Sequence, residues 1–513
     1  MNLKTETLEE ILQRKIPTLP LLQVEDLRVS FSIHQKKIEA VRGISFSIGA
    51  GETVGLVGES GSGKTAAVQA LTRLTTAQSI EGRALFNGSD LLQKTPENLR
   101  AVRGREIGMI FQDPMTFLNP TMTIGWQIAE GLIYHKLATK QEALLQAVEL
   151  LRLVGVSDPE QRIGQYPHHL SGGMRQRVLI AIAIACKPRL LIADEPTTAL
   201  DMALSTQILD LLCSLQKTLH TSLLLITHDL NIVANVCNRV LVMRAGQIVE
   251  EGTTSEVLSH PKHPYTQMLL QAIPRLVANR REPPPPSISR PIIETRALSK
   301  TFYLGKRPLI AVNDLSLQIH PGETLGLVGA SGCGKSTFAR LLLGLEKPSS
   351  GQILFNGEDI AQIKNRRLYR NIQMIFQDPF ASLNPRMSVG DLIQEPLLIH
   401  KLPDRTSELL DLVGLPQSSK HRFPHEFSGG QRQRIGIARA LALDPKFLVC
   451  DEPISSLDVS IQVQIIELLQ KLQKELGLTY LFIAHDLTIV RYISTRIAVM
   501  RDGALVEIGS GNK

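Results

Sequence analysis

Twice in this chain a short apolar run leads into a glycine-rich loop that ends in Gly-Lys and a hydroxyl residue. Thr53-Val-Gly-Leu-Val57 runs into Gly58, Glu59, Ser60, Gly61, Ser62, Gly63, Lys64 and Thr65. Later, Gly329, Ala330, Ser331, Gly332, Cys333, Gly334, Lys335 and Ser336 repeat the pattern. Glycines at this spacing let backbone N–H groups approach phosphate oxygens, and the start of the following helix adds partial positive charge. Lys64 and Lys335 then reach the β- and γ-phosphates, and the Thr65 and Ser336 hydroxyls are placed for Mg2+. Two other apolar runs end in paired acids, Asp194 and Glu195 in one, Asp451 and Glu452 in the other. The first acid of each pair suits Mg2+ held through a nucleotide. The second suits a carboxylate that polarises an attacking water. A flexible Gly/Ser loop and two solvated acids are the bland alternatives; recurrence of both features in strand context favours phosphate chemistry.

These residues are positioned by a tandem repeat. GLVGESGSGKT (55–65) recurs as GLVGASGCGKS (326–336), an offset of 271. MIFQDPMTFLNP (109–120) recurs as MIFQDPFASLNP (374–385), an offset of 265. From LSGGMRQR (170–177) and FSGGQRQR (427–434) onward the offset stays at 257. The second copy is therefore shorter between its first and third motifs. A period this long marks duplicated domains, since solenoid repeats run about 20–50 residues. The expected organisation is an extension over 1–20, a first module over 21–274, a linker over 275–291 and a second module over 292–513. In the extension, Thr7-x-x-Glu10 before apolar residues predicts a capped short helix. The linker holds Pro283 to Pro286 in a run, with Arg275, Arg280, Arg281 and Arg290 around it. It predicts an extended, solvated spacer.

Composition bounds the remaining classes. The 513 residues leave room for two to four domains at about 150 residues each. At 43% hydrophobic and 20% charged, the chain is neither disordered, nor collagenous, nor a coiled-coil rod. Its most apolar run, Val178 to Cys186, sits between Arg177 and Lys187. That run is far short of the roughly 20 residues that span a bilayer. A net charge of +7 is thin over this length, and 4% aromatics argue against a base-stacking nucleic-acid binder. Cys186, Cys213, Cys237, Cys333 and Cys450 show no C-x-x-C spacing. They read as reduced thiols, not a disulfide framework or a zinc site.

Taken together, the motifs resemble the ATP-binding cassette (ABC) nucleotide-binding domain, present twice and covering about residues 21 to 510. The family signature appears as LSGG at 170–173 and as SGG at 428–430. Ser171 or Ser428, followed by two glycines, opens a helix and forms a second anion site. The resemblance implies an α/β fold of two P-loop NTPase domains. Each would have a RecA-like core, an antiparallel β subdomain and a helical signature subdomain. It implies two ATP bound head to tail: Lys64 and Thr65 with Ser428, Gly429, Gly430 and Gln431, and Lys335 and Ser336 with Ser171, Gly172, Gly173 and Met174. It further implies that Glu195 and Glu452 catalyse, that Gln112 and Gln377 sense Mg2+ and touch a membrane partner, and that His228 and His485 contact the γ-phosphate. Asp194 and Asp451 would hold Mg2+, and Asp201 and Asp458 would bridge the halves. Phe31 and Phe302 stand where an aromatic would stack on adenine; core packing is the alternative for both. Since both copies keep these residues, two hydrolytic sites are expected.

Narrower features resemble the importers of dipeptides, oligopeptides and nickel, whose fused members include peptide and glutathione importers. FQDP followed by LNP occurs in both copies, with TTALD in one and SSLD in the other. His260-Pro-Lys-His263-Pro264-Tyr265-Thr266 closes the first copy. His260 and His263 could be metal ligands; a helix start with Pro264 near its first position is the preferred reading. His169 departs from the Glu usual in the family, which Glu426 keeps. The second copy shows no HPYT segment and no cysteine-rich tail before Lys513, so no tail-borne cluster is expected. The implied partners are two integral-membrane permease subunits and, indirectly, an external solute-binding protein, with the chain peripheral on the cytoplasmic face of the plasma (inner) membrane. The rival is a soluble twin-cassette ATPase acting on ribosomes or nucleic acid. The short proline-rich spacer and the lack of zinc spacing count against it.

Overall fold

The computed structural model describes residues 20–33, 36–197, 202–270, 290–304, 307–455, 457–484 and 486–511. The Thr7–Glu10 helix, most of the proline-rich spacer, Asp201 and His485 lie outside the described residues. The chain divides into two compact units between Met268 and Leu269, and each is built in the same way.

In the first unit the described strands are β1 (Leu22–Ile33), β2 (Lys36–Ile48), β3 (Thr53–Val57), β4 (Ser79–Phe86), β5 (Ser89–Asp90), β6 (Ile107–Ile110), β7 (Leu190–Asp194), β8 (Ser222–Thr227), β9 (Arg239–Arg244) and β10 (Gln247–Thr253). They form two sheets. One is antiparallel with the order β2-β1-β4-β5; the other has the order β10-β9-β3-β8-β7-β6. In the second sheet β3 pairs in parallel with both β8 and β9, and β7 pairs in parallel with β8 and β6. Every residue of β3, β7 and β8 is buried. Strands covered on both faces read as unbroken apolar runs, which is why TVGLV and LLIAD stand out in the sequence. Parallel pairing requires crossover connections, so the residues that leave the C-terminal ends of β3, β7 and β8 gather along one edge of the sheet.

The second unit repeats this with β11 (Ile293–Leu304), β12 (Arg307–Ile319), β13 (Thr324–Val328), β14 (Ser350–Phe355), β15 (Glu358–Asp359), β16 (Ile372–Ile375), β17 (Phe447–Asp451), β18 (Thr479–Ile483), β19 (Arg496–Arg501) and β20 (Ala504–Ser510). The strand orders are β12-β11-β14-β15 and β20-β19-β13-β18-β17-β16. The expected α/β fold forms in each unit, with an antiparallel subdomain beside a core sheet whose strands are mostly parallel.

A helical segment separates β6 from β7, and its counterpart separates β16 from β17. The second decrease in the repeat offset, from 265 to 257, has its structural location here. The first unit carries the 14-residue helix Lys140–Leu153, capped by Thr139 and Glu142, then the turn Pro159–Arg162. The second carries only the 7-residue helix Thr406–Leu412, then a short 3-10 turn over Gln417–His421. The second step of the loss, from an offset of 265 to 257, is taken largely from the outer helix and leaves the signature helices, Gly172–Ile184 and Gly429–Leu441, equal in length at 13 residues.

Candidate nucleotide-hydrolysing site

At the end of β3 the chain turns through Gly58–Gly63 into the helix Lys64–Leu71. Gly63 has φ 101°, and a Cβ there would overlap the carbonyl oxygen of Ala40. Gly334, at φ 105°, meets the Ala311 carbonyl in the same way. Left-handed backbone and close approach together require glycine at this position. The loop is also fastened to the β9–β10 hairpin: Gly246 N–H donates to the Ser62 carbonyl at 2.9 Å, and Gly503 N–H to that of Cys333 at 3.0 Å.

Lys64 is 4% exposed, and its Nζ donates to the carbonyl oxygens of Gly58 (2.7 Å) and Glu59 (2.9 Å). Lys335 does the same to Gly329 (2.8 Å) and Ala330 (2.9 Å). The ammonium is thus held inside the curve of its own loop. Thr65 Oγ1 donates to Asp194 Oδ1 at 3.1 Å, and Ser336 Oγ to Asp451 Oδ1 at 3.3 Å. The loop and the acid-tipped strand, far apart in sequence, therefore meet in both units.

Glu195 and Glu452 follow directly after these strands with φ of 46° and 47°. A non-glycine residue in the left-handed region costs roughly 1 kcal/mol or more and persists where the surroundings enforce it. Here the N–H groups of Glu195 and Glu452 donate to the carbonyls of Ile226 (3.0 Å) and Ile483 (2.9 Å) on the neighbouring strands. In the first unit the backbone turn aims the Glu195 carboxylate back toward the phosphate loop. Glu195 Oε1 stands 4.0 Å from Lys64 Nζ and 3.6 Å from His228 Nδ1. Gln112 Nε2 donates to Glu195 Oε2 at 2.9 Å, and Gln377 Nε2 to Glu452 Oε2 at 2.7 Å. Both glutamines thus touch the glutamate carboxylates. Their expected role at Mg2+ lies one residue away from the contact they make.

Asp194 is 1% exposed. Burial pushes its carboxyl up to about 6, Glu195 adds to the rise, and the Thr65 hydroxyl and Lys64 oppose it. Burial, with Glu452, likewise raises Asp451. A carboxyl raised above its unfolded value of about 4 keeps its proton in the folded state where the unfolded chain has lost it. Its cost to stability therefore begins near pH 4 and is complete above about pH 6. Asp194→Asn is expected to leave the nucleotide-free melting temperature unchanged or higher at pH 8, while lowering ATP hydrolysis. A melting temperature several degrees lower at pH 8 than wild type would contradict this.

The remaining expected residues sort as follows. Ser171 Oγ accepts from Met174 N–H and Ser428 Oγ from Gln431 N–H, each at 3.4 Å, so both cap the signature helices whose first residues are Gly172-Gly173 and Gly429-Gly430. Gln431 Oε1 also accepts from Ser428 N–H at 3.1 Å, a reciprocal cap that Met174 cannot make. Asp458 precedes the helix Val459–Leu476. Phe31 is half-buried against the first unit's core. Phe302 is half-buried with Lys300 Nζ 4.8 Å from its ring centre. The His169 departure also has a local account. His169 Nδ1 accepts from Tyr166 N–H at 3.4 Å, the place where Glu426 accepts from Phe423 N–H at 2.7 Å. An imidazole acceptor replaces a carboxylate at the same turn.

Residues 264–270 form a helix with Pro264 first, and His263 Nδ1 accepts from Tyr265 N–H at 3.1 Å. His263 is thus a helix cap, as the helix-start reading expects. The same segment places Tyr265 against the phosphate loop: its hydroxyl oxygen accepts from Glu59 N–H at 3.0 Å. Nothing in the sequence marked that contact.

Known proteins resemble this chain over nearly its whole length. The ABC transporter family model matches residues 41–198 and 312–455. The model for the C-terminal region of oligopeptide/dipeptide transporters matches residues 249–304. The glutathione import ATP-binding protein GsiA of Shigella boydii serotype 4 (strain Sb227) is 45% identical over 95% of this chain and 86% of its own length. GsiA of Escherichia coli (strain K12) has the same identity and coverage. A solved dimeric ATP-binding cassette, MJ0796 in a post-hydrolysis state with ADP and phosphate, is 26% identical over 45% of this chain and 98% of its own, with a TM-score of 0.42. With two phosphate loops, two acid-tipped strands and two signature helices in one polypeptide, the chain belongs to the ABC transporter family as an ATP-binding, ATP-hydrolysing subunit.

Proposed function

We infer that this subunit powers the import of a peptide or a peptide-like solute such as glutathione through separate membrane subunits. One observation carries the reading: the glutamine that touches the catalytic carboxylate opens a segment whose apolar side chains face solvent. Gln112 begins the stretch leading into the helix Pro114–Phe117. Met115 is 63% exposed and Phe117 45%, although Phe117 stacks on Phe111 at 3.9 Å. In the second unit Phe376, 41% exposed, adjoins Gln377. Such side chains beside a catalytic group fit a protein partner whose movement reaches Glu195 through Gln112. Among the described residues no helix is long and apolar enough to cross a membrane, so the solute path is assigned to partner chains. Two integral-membrane permease subunits, fed by an external binding protein, with this chain peripheral on the cytoplasmic face, complete the proposal. The match to the oligopeptide/dipeptide C-terminal region favours this over a ribosome- or nucleic acid-directed ATPase.

The same reading assigns the site residues in each cassette. The loop residues 58–65 and 329–336 bind the phosphates, with Phe31 and Phe302 on the adenine. Glu195 and Glu452 polarise the attacking water, and His228 and His485 contact the terminal phosphate. Ser171-Gly172-Gly173 is assigned to the ATP held by Lys335, and Ser428-Gly429-Gly430 to the ATP held by Lys64, with Asp201 and Asp458 linking the two events. The donor chemistry fits Mg2+: a hydroxyl and a buried carboxylate lie 3.1 Å apart at Thr65 and Asp194, and Mg2+ prefers such hard oxygens together with nucleotide phosphates. Thr65, Asp194 and Gln112 would hold one ion, and Ser336, Asp451 and Gln377 the other. When bound, the ion neutralises charge on the phosphates.

The test is uptake of labelled glutathione and of a labelled dipeptide by cells that lack the gene, carrying either the wild-type chain or Glu195→Gln with Glu452→Gln. Uptake of one of these solutes is expected with wild type and is lost with the double variant. Unchanged uptake of both solutes across all strains would contradict the substrate assignment.

A further inference from the structure

Tyr265 is 2% exposed and lies within the first unit. Its hydroxyl accepts from Glu59 N–H at the entry of the phosphate loop, from 206 residues away. Three other contacts hold it in place. Arg244, at the end of β9, lies over its ring at 4.8 Å. His263 Nδ1 accepts from its backbone N–H. Glu250 on β10 accepts from the N–H groups of Lys262 (2.7 Å) and His263 (3.0 Å), pinning the segment to the sheet. The β9–β10 hairpin also grips the far side of the loop through Gly246 and Ser62. The loop is therefore clamped at both ends, and one clamp is a side chain from the segment that closes the cassette.

We propose that Tyr265 is a positioning residue for the first phosphate loop. Its hydroxyl fixes the backbone at Glu59, so the carbonyls of Gly58 and Glu59 that hold Lys64 are set before ATP arrives. A loop ordered in advance loses less entropy on binding. Tyr265 thus raises the ATP affinity of the site built on Lys64, and the segment 260–268 becomes part of that site. The proposal rests on the Lys64 loop binding ATP.

The experiment uses the full chain with Lys335→Ala, so that binding reports the first loop. ATP binding without Mg2+ is followed by calorimetry, and folding by the nucleotide-free melting temperature. The Lys335→Ala parent reports whether the first loop binds ATP at all; if it does not, that assignment falls and the proposal with it. Adding Tyr265→Phe keeps the ring and removes the hydroxyl. It is expected to weaken ATP binding about five-fold, the loss of one hydrogen bond, with the melting temperature unchanged. Glu250→Gln, which loosens the segment without touching the loop, is expected to weaken binding in the same direction. In a Lys64→Ala chain, where the second loop reports, Tyr265→Phe is expected to change nothing. Wild-type affinity for Tyr265→Phe, or equal weakening in both backgrounds, would overturn the proposal. So would a loss of affinity that only tracks a fall in melting temperature, in which case Glu250→Gln would bind normally at an unchanged melting temperature.

Discussion

Replacing Glu195 and Glu452 together by glutamine is expected to lower steady-state ATP hydrolysis by about 10²–10⁴-fold, the range typical of a lost general base. The amide keeps the shape of the carboxylate, and its oxygen can still accept from Gln112 or Gln377, so the fold should be retained. What disappears is the negative charge that the proposed mechanism uses to polarise water. Each carboxylate is presented by a left-handed backbone turn at the end of a fully buried strand. The glutamine–glutamate bond recurs in both units, at 2.9 Å in one and 2.7 Å in the other. Each single substitution should therefore also reduce the rate. A single variant that hydrolyses ATP at the wild-type rate would show that its site is not catalytic.

Lys64→Ala and Lys335→Ala carry the second large effect. Each is expected to weaken ATP binding at its own site by about 10- to 100-fold, as loss of a charged hydrogen-bond donor does. Two things are lost at once. The loop loses the internal staple between Nζ and the carbonyls of its first two residues, and, on the proposed assignment, the phosphates lose a cation. Because Lys64 and Lys335 are both 4% exposed, water cannot easily replace either interaction. Titration with a fluorescent ATP analogue, with circular dichroism to confirm folding, measures this. Wild-type affinity in both variants would contradict the assignment of the loops.

Much of the site was legible because its chemistry is local in sequence. A phosphate loop needs consecutive backbone amides, so its glycines, lysine and hydroxyl stand in one run. The acid pairs follow fully buried strands, and burial on both faces writes itself as an unbroken apolar stretch. Other features leave no such trace. Tyr265 bonds to a backbone N–H, which every residue but proline offers, so no residue type at 59 announces it. The left-handed turns at Glu195 and Glu452 are imposed by neighbouring strands and occur without glycine. The repeat offset shows that residues were lost, but only the helices reveal that Lys140–Leu153 was shortened to Thr406–Leu412. His169 departs from the family's glutamate, yet caps its turn through a ring nitrogen, since what the turn needs is an acceptor.

The central claim is that two ATP sites in this chain drive a membrane importer. It is tested most directly by pulling down the full-length Glu195→Gln, Glu452→Gln variant with Mg-ATP from gently solubilised membranes. Slowed hydrolysis should hold the nucleotide-bound complex together while its partners are identified. Recovery of multi-spanning membrane proteins in ATP-dependent fashion is the result expected here. Recovery of ribosomes or nucleic acid, with no membrane protein, would contradict it.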